Sequence, residues 1–121
     1  MIQHIQKPTR IVAPGIGDKV IEEFIGHVHT GTDRYSVAHM IAPGNWTEPF
    51  QTPEFDEMTI VLRGVLRVEH SEGVTDVRAG EVIRVSGGTR IRYSTPTDEA
   101  TEYWAICIPA FHPATVHRDD E

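Results

Sequence analysis

Short apolar, β-branched runs recur along this chain at roughly ten-residue spacing, each closed by a turn built on glycine, proline or aspartate. The runs are Val20 to Val28, Tyr35 to Ala42, Thr59 to Leu62, Val65 to Glu69, Val74 to Arg78, Val82 to Val85, Arg90 to Tyr93 and Glu102 to Ile108. Apolar residues in them do not recur at the helical period, so they read as strands. The turn Thr30-Gly31-Thr32-Asp33 joins the first two, and Arg63-Gly64 makes a tight hairpin or bend between the third and fourth. Strands in this rhythm bury their apolar faces by closing into a sandwich or a barrel. There is no internal repeat and no low-complexity linker, so the 121 residues read as one domain.

Composition narrows the partners. The formal charge of -7 and the pI near 5.4 argue against nucleic acid, which needs clustered lysine and arginine. Cys107 is the single cysteine, which leaves no intrachain disulfide and suits a reducing cytoplasm. No charged-then-apolar leader opens the sequence, and no apolar run approaches about 18 residues, so no membrane partner is expected.

From Gly44 the chain runs through Trp46, Glu48, Gln51, Pro53 and Phe55-Asp56-Glu57 to Val61-Leu62-Arg63-Gly64. This resembles the first motif of the cupins. Glu57 and Gly64 stand at its glutamate and closing glycine, while Gln51 and Pro53 stand at its two histidine positions. Gly80 and Gly88 resemble the frame of the second motif, with Ser86, Ile91 and Thr95 at its proline, histidine and asparagine. All three histidines that a usual cupin places on its metal are therefore replaced. Phe55-Asp56-Glu57, Val61 to Gly64 and Ala79-Gly80-Glu81-Val82 are closest to the ethanolamine-utilisation type. Ile108-Pro109-Ala110-Phe111 with Val116-His117-Arg118-Asp119 also resembles the ending of small bacterial cupins of unassigned role.

The resemblance implies an all-β fold, a double-stranded β-helix or jelly-roll barrel. It implies one cupin domain over residues 1–121, with a barrel core about 20–110, an N-terminal arm 1–19 and a C-terminal tail 111–121. The tail is expected to lie over the barrel surface or a partner subunit. A homodimer is expected, because a small jelly roll leaves sheet edges that need covering. The fold alone names no reaction, since it hosts several unrelated chemistries.

Alternate residues on a barrel strand face inward, which selects the site candidates. Ile91, Tyr93 and Thr95 should face the cavity, with Arg90 and Arg92 outward. Gln51, Pro53 and Glu57 form the inward set of the first motif, with Thr59 and Val61 deeper and Glu48 near the mouth. Glu57 and Tyr93 are the catalytic candidates; Gln51, Glu48, Thr59, Ile91 and Tyr103 are the substrate-binding candidates. Glu57 reads as a general base or metal ligand, or else as a structural carboxylate paired with an arginine such as Arg63 or Arg92. Tyr103 shares a face with Ala105 and Cys107, and alternation leaves open which way that face points. Cys107 reads as a small buried residue rather than a nucleophile.

A divalent metal would have to use Glu57, Gln51 and Glu48 with His39, and a motif stripped of histidine fits no metal better than one. His27 and His29 look like a metal dipeptide but read as one face of an edge strand. His4, His70, His112 and His117 read as surface groups. No nucleophile elbow and no phosphate-cradling glycine loop is present. The expected function is small-molecule enzymology, a proton transfer of isomerase, lyase or cyclase type on a small organic acid or carbonyl compound, with Glu57 as base. The alternatives are a non-catalytic module holding a metabolite in the barrel, and a metal-dependent enzyme with a Glu/Gln-rich site.

Overall fold

The structure is a computed structural model that describes residues 1–13 and 18–119. Part of the expected arm and the last two residues of the tail lie outside the described residues. The described strands are β1 (Thr9–Val12), β2 (Val20–Ile25), β3 (Ser36–Ala42), β4 (Asp56–Arg63), β5 (Val65–His70), β6 (Gly73–Arg78), β7 (Val82–Val85), β8 (Arg92–Ser94) and β9 (Thr101–Ile108). They form a six-stranded sheet in the order β1-β2-β3-β9-β4-β7 and a three-stranded sheet in the order β6-β5-β8. Neighbours pair antiparallel throughout. This is the two-sheet jelly roll that the motif resemblance implies, within the sandwich or barrel class that the strand rhythm indicates. Among the described residues, no helix is long and apolar enough to cross a membrane.

The centre of the large sheet shows why these residues make strands. Thr101, Tyr103, Ala105 and Cys107 of β9 are buried, while the residues between them are half-buried. β3 and β4 flank β9 in register, Ala38 and Thr59 both lying opposite Ala105. One face of period two thus points into the barrel and the other away from it.

The bend between β4 and β5 is where the chain changes sheets. Gly64 has φ +80°, and a Cβ there would sit 2.6 Å from both the Ala100 carbonyl oxygen and the Thr101 hydroxyl. Only glycine fits that conformation and that space. Thr101 fixes the corner, its hydroxyl accepting from Val65 N at 3.1 Å and donating to Val65 O at 2.8 Å.

The packed half of the barrel is built on Trp46, Val61, Leu66, Val68 and Ile91, all essentially inaccessible to solvent. Burying each such aliphatic side chain stabilises the fold by about 1.5–3 kcal/mol. Thr95 ties the entering loop to this core, its hydroxyl accepting from Trp46 N at 2.7 Å and donating to Pro43 O at 2.6 Å.

Several expectations are corrected here. The first run ends at Ile25, and His27 and His29 lie in the following turn rather than on a strand face. His27 stacks edge-on against His112, and His29 Nδ1 bonds the Thr9 hydroxyl at 2.8 Å. Thr9–Val12 forms a strand inside the segment expected as an arm, because its Ile11 pairs with Ile21 across the sheet edge. Thr95 bonds the loop instead of facing the cavity. Ile91 precedes β8, exchanges both backbone bonds with Gln51 at 2.9 Å, and packs into the core. It does not line the cavity, since that side of the barrel is filled by Trp46, Leu66 and Val68.

Candidate functional site

The other half of the barrel stays open as a cavity of about 380 Å³. Its polar lining includes Lys19, Glu48, Gln51, Glu57, Tyr93 and Arg118, while Ile21, Met40, Phe55 and Phe111 supply apolar wall. Small-molecule sites have this composition: mostly apolar, with a few convergent polar groups.

Glu57 is placed by the pleat of β4, whose inward residues are Glu57, Thr59 and Val61. Cys107 lies directly opposite it on β9. The Tyr93 hydroxyl donates to Glu57 Oε1 at 2.8 Å, and the Cys107 thiol approaches Oε2 at 3.6 Å. Burial pushes the Glu57 carboxyl above its ordinary range, and the Tyr93 hydrogen bond and the Lys19 charge pull it only part of the way back. Burial also holds Tyr93 well above a normal phenol, with Glu57 adding to the effect, so it remains a proton donor. The same two causes push up the Cys107 thiol, which keeps it neutral and argues against nucleophilic chemistry there.

Glu48 is 6% exposed, and burial raises its carboxyl to about 7, opposed by Lys19 and reinforced by Glu57. Lys19 stands just before β2, on the face of Ile21 and Glu23, and all three line the cavity. Its Nζ lies 4.3 Å from the centre of the Trp46 ring and 5.4 Å from that of Tyr103. Burial pulls the ammonium down, but Tyr103, Glu48 and Glu57 together outweigh it and the net direction is up. Lys19 is therefore a fixed cation at neutral pH. Tyr103 is raised by burial despite the nearby ammonium.

Arg118 reaches the cavity from the tail. Thr52 N donates to His117 O at 3.1 Å, Glu54 N to Thr115 O at 2.9 Å and Asp119 N to Phe50 O at 2.8 Å. These bonds lay the tail alongside the segment that carries Glu48 and Gln51. Desolvation lowers Arg118, with Glu48 and Glu57 opposing it, and a guanidinium stays charged through such a shift. The tail thus lies over the barrel, as expected, and supplies a cation to it.

Six of the residues selected from sequence line this one cavity: Glu57, Tyr93, Gln51, Glu48, Thr59 and Tyr103. The Tyr103-Ala105-Cys107 face points inward. The arginines considered as partners for Glu57 are engaged elsewhere, Arg63 near Glu102 at 3.7 Å and Arg92 with Glu69 at 3.0 Å. His39 is a correction. Ser36, Ala38 and Met40 of β3 line the cavity, so His39 between them faces the other way. There its ring bonds Glu22 at 3.2 Å and Glu102 at 2.6 Å and packs against Trp104.

The residues present do not fit the divalent metal that this fold commonly carries. Among the described residues, no group of three His, Cys, Asp or Glu side chains is arranged to hold an ion. Glu57 is engaged by Tyr93 and Cys107, and the positive charges of Lys19 and Arg118 face the same two carboxyls. A cation would meet repulsion from Lys19 and Arg118, and the carboxyl and amide donors on offer are oxygens, which suit hard cations rather than zinc, copper or iron.

No protein-family model matches the chain. Over 101 residues it is 46% identical to a curated protein of Myxococcus xanthus named Endoribonuclease YbeY. The match takes 84% of this chain and 34% of that protein, so the chain spans about a third of the length of the curated relative it matches. Among solved structures, the polyketide cyclase RemF of Streptomyces resistomycificus is similar with a TM-score of 0.77 at 16% identity, covering 100% of this chain and 87% of that one. The EutQ protein of Clostridium difficile gives 0.66 at 19% identity over 78% of this chain and 65% of its own. Oxalate decarboxylase of Bacillus subtilis gives 0.76 at 12% identity over 94% of this chain and 30% of its own. At these identities the likeness establishes the fold: the chain folds as a small barrel of the cupin type.

Proposed function

We propose that this chain is a small-molecule enzyme that moves a proton beside the carbonyl of a small organic acid or carbonyl compound, in isomerase, lyase or cyclase chemistry. The observation that carries this reading is Glu57: a carboxyl on the cavity wall, bonded by Tyr93 and pushed above its ordinary range by burial, with Lys19 and Arg118 lining the same cavity. A base is most effective when its pKa lies near the working pH, and burial moves Glu57 in that direction.

The oxygens of Glu57 differ in their partners. Oε1 is held by the strong donor Tyr93, whereas Oε2 meets only the weak thiol donor of Cys107. Oε2 is the oxygen that takes the substrate proton. Negative charge then develops on the substrate carbonyl oxygen, and the Lys19 ammonium stabilises it in a site where few waters compete. Glu48, poised at about 7, can pass the proton on at neutral pH. Gln51 and Thr59 orient the substrate by hydrogen bonds, and Tyr103 holds Lys19.

The test is hydrogen exchange. Small ketones, keto acids and β-dicarbonyl compounds are incubated with the protein in D2O, and C–H signals are followed by proton NMR. Exchange should occur with at least one compound class, and Glu57→Gln should abolish it without altering the circular dichroism spectrum. Exchange undiminished in Glu57→Gln would reject Glu57 as the base.

A second reading is favoured by one finding: the counterpart of this chain is a third of a longer protein named an endoribonuclease. A cupin barrel joined to another activity would hold a metabolite without turning it over. Tight retention of a ligand with no exchange in any compound would select this reading. In both readings we take the chain as one cytoplasmic domain that pairs as a homodimer through the sheet edge at β1, where Val12 is 96% exposed. A monomeric mass by sedimentation at micromolar concentration would contradict the dimer.

A further inference from the structure

The two cavity cations stand on different walls. Lys19 packs on Trp46 and Tyr103, which belong to the packed core. Arg118 lies 5.9 Å from the Phe111 ring, beside the separate cluster of Phe55, Cys107 and Val116. Phe55 and Phe111 meet edge-on at 5.8 Å and form an aromatic wall next to the guanidinium.

Their surroundings also differ. Lys19 Nζ lies over two ring faces, with the charges of Glu48 and Glu57 acting on it. Arg118 Nε is buried and has no acceptor among the described residues. A buried charged donor left without an acceptor is costly, and the planar guanidinium fork matches the paired oxygens of a carboxylate or phosphate; the mostly apolar wall beside it favours the less strongly charged carboxylate. Three carboxyls, Glu23, Glu48 and Glu57, also line the cavity, but Glu23 is held by the Val28 and His29 amides and Glu57 by Tyr93, and among the described residues none is bonded to the Arg118 fork.

The geometry points to a carboxylate-bearing ligand with an apolar or aryl body, its carboxylate on Arg118 and its body along Phe55, Phe111 and Met40. This deepens the reading of the barrel interior as the substrate site and rests on it. It assigns Arg118 as the residue that selects acids over neutral carbonyl compounds. A ligand so placed presents its remaining oxygen to the Lys19 wall, as a keto acid does.

The test is affinity without turnover. Benzoate, 3-phenylpropionate, hexanoate and phenylpyruvate are compared with their primary amides by ligand-observed NMR and calorimetry on the full chain. At least one acid should bind about ten- to a hundredfold more tightly than its amide, as expected for a charge-assisted bond in place of a neutral one. Arg118→Gln should remove that preference, so that the acid binds no more tightly than its amide. If Arg118→Gln melts far below the parent, Arg118→Lys serves instead: it keeps the charge, loses the fork, and should still weaken acid binding several-fold. Glu57→Gln should retain the preference, so absence of proton exchange would reject the catalytic proposal and leave this one standing. Equal binding of acid and amide, no binding by any probe, or an undiminished preference in both Arg118 variants would overturn it.

Discussion

Glu48→Gln should flatten the dependence of stability on pH. In the folded chain the Glu48 carboxyl is carried from its ordinary 4.5 to about 7, chiefly by burial. At 1.36 kcal/mol for each tenfold change in proton affinity, this amounts to about 3 kcal/mol. The folded state holds the proton more tightly than the unfolded state, so raising the pH favours unfolding. The loss begins near pH 4.5, where the unfolded carboxyl ionises, and is complete once the folded carboxyl ionises above about 7. A glutamine at position 48 has no proton to lose.

The two proteins should therefore differ by a constant below about pH 4, whatever the substitution costs in packing. By pH 8 that difference should shift by about 3 kcal/mol in favour of the variant. Glu57 is raised in the same direction and gives both proteins a common residual slope. Against a typical domain stability of about 5–15 kcal/mol, the change is readily measured by urea titration at half-unit pH steps. Parallel curves from pH 4 to 8, with equal m-values, would show that Glu48 is not desolvated and that the cavity is wetter than its lining suggests.

Tyr93→Phe removes the hydroxyl that holds Glu57 Oε1, so the Glu57 carboxyl should titrate at still higher pH; carbon NMR of the side-chain carboxyls reads this, and an unmoved titration would contradict the 2.8 Å bond. Gly64→Ala should destabilise the fold by about 3 kcal/mol or more, since it combines a φ of +80° with backbone contact at 2.6 Å from Ala100 O; chemical denaturation near the parental midpoint would place the sheet corner elsewhere. Thr95→Val leaves the buried Trp46 N–H and the Pro43 carbonyl unpaired and should cost about 2–4 kcal/mol, with a loss under 1 kcal/mol contradicting that role.

The sandwich or barrel class was legible from strand rhythm and turn glycines because both are local, and the motif resemblance narrowed it to the jelly-roll barrel. Gly64 and Gly88 announce left-handed backbone, and both adopt it, at φ +80° and +83°. Glu57, Thr59 and Tyr93 were placed by the two-residue pleat, which holds within a strand, whereas for Tyr103 the pleat gave only the shared face with Ala105 and Cys107 and not its direction. Ile91 and Thr95 escaped that pleat because β8 spans only Arg92–Ser94, so alternation counted beyond its ends fails. His39 was legible in principle: it stands between the apolar Ala38 and Met40 on β3, so it faces away from them, where Glu22 lies directly across from it and Glu102 diagonally.

Lys19 and Arg118 were missed for a common reason. Each lies outside the motif-bearing core, and a lysine or arginine beside a strand ordinarily points to solvent. For Lys19 a signal existed, because counting back by two from Glu23 and Ile21 reaches it. Arg118 had none, since the backbone pairing of Gln51 with Arg118 joins segments far apart in sequence.

Elemental analysis of untagged protein purified without chelator, run beside the D2O exchange assay, tests most directly whether Glu57 carries protons or binds an ion. The predicted result is far less than one metal per chain, with exchange that persists in chelator and disappears in Glu57→Gln. One tightly held metal per chain, lost together with exchange in Glu57→Ala, would contradict it and make Glu57 a ligand.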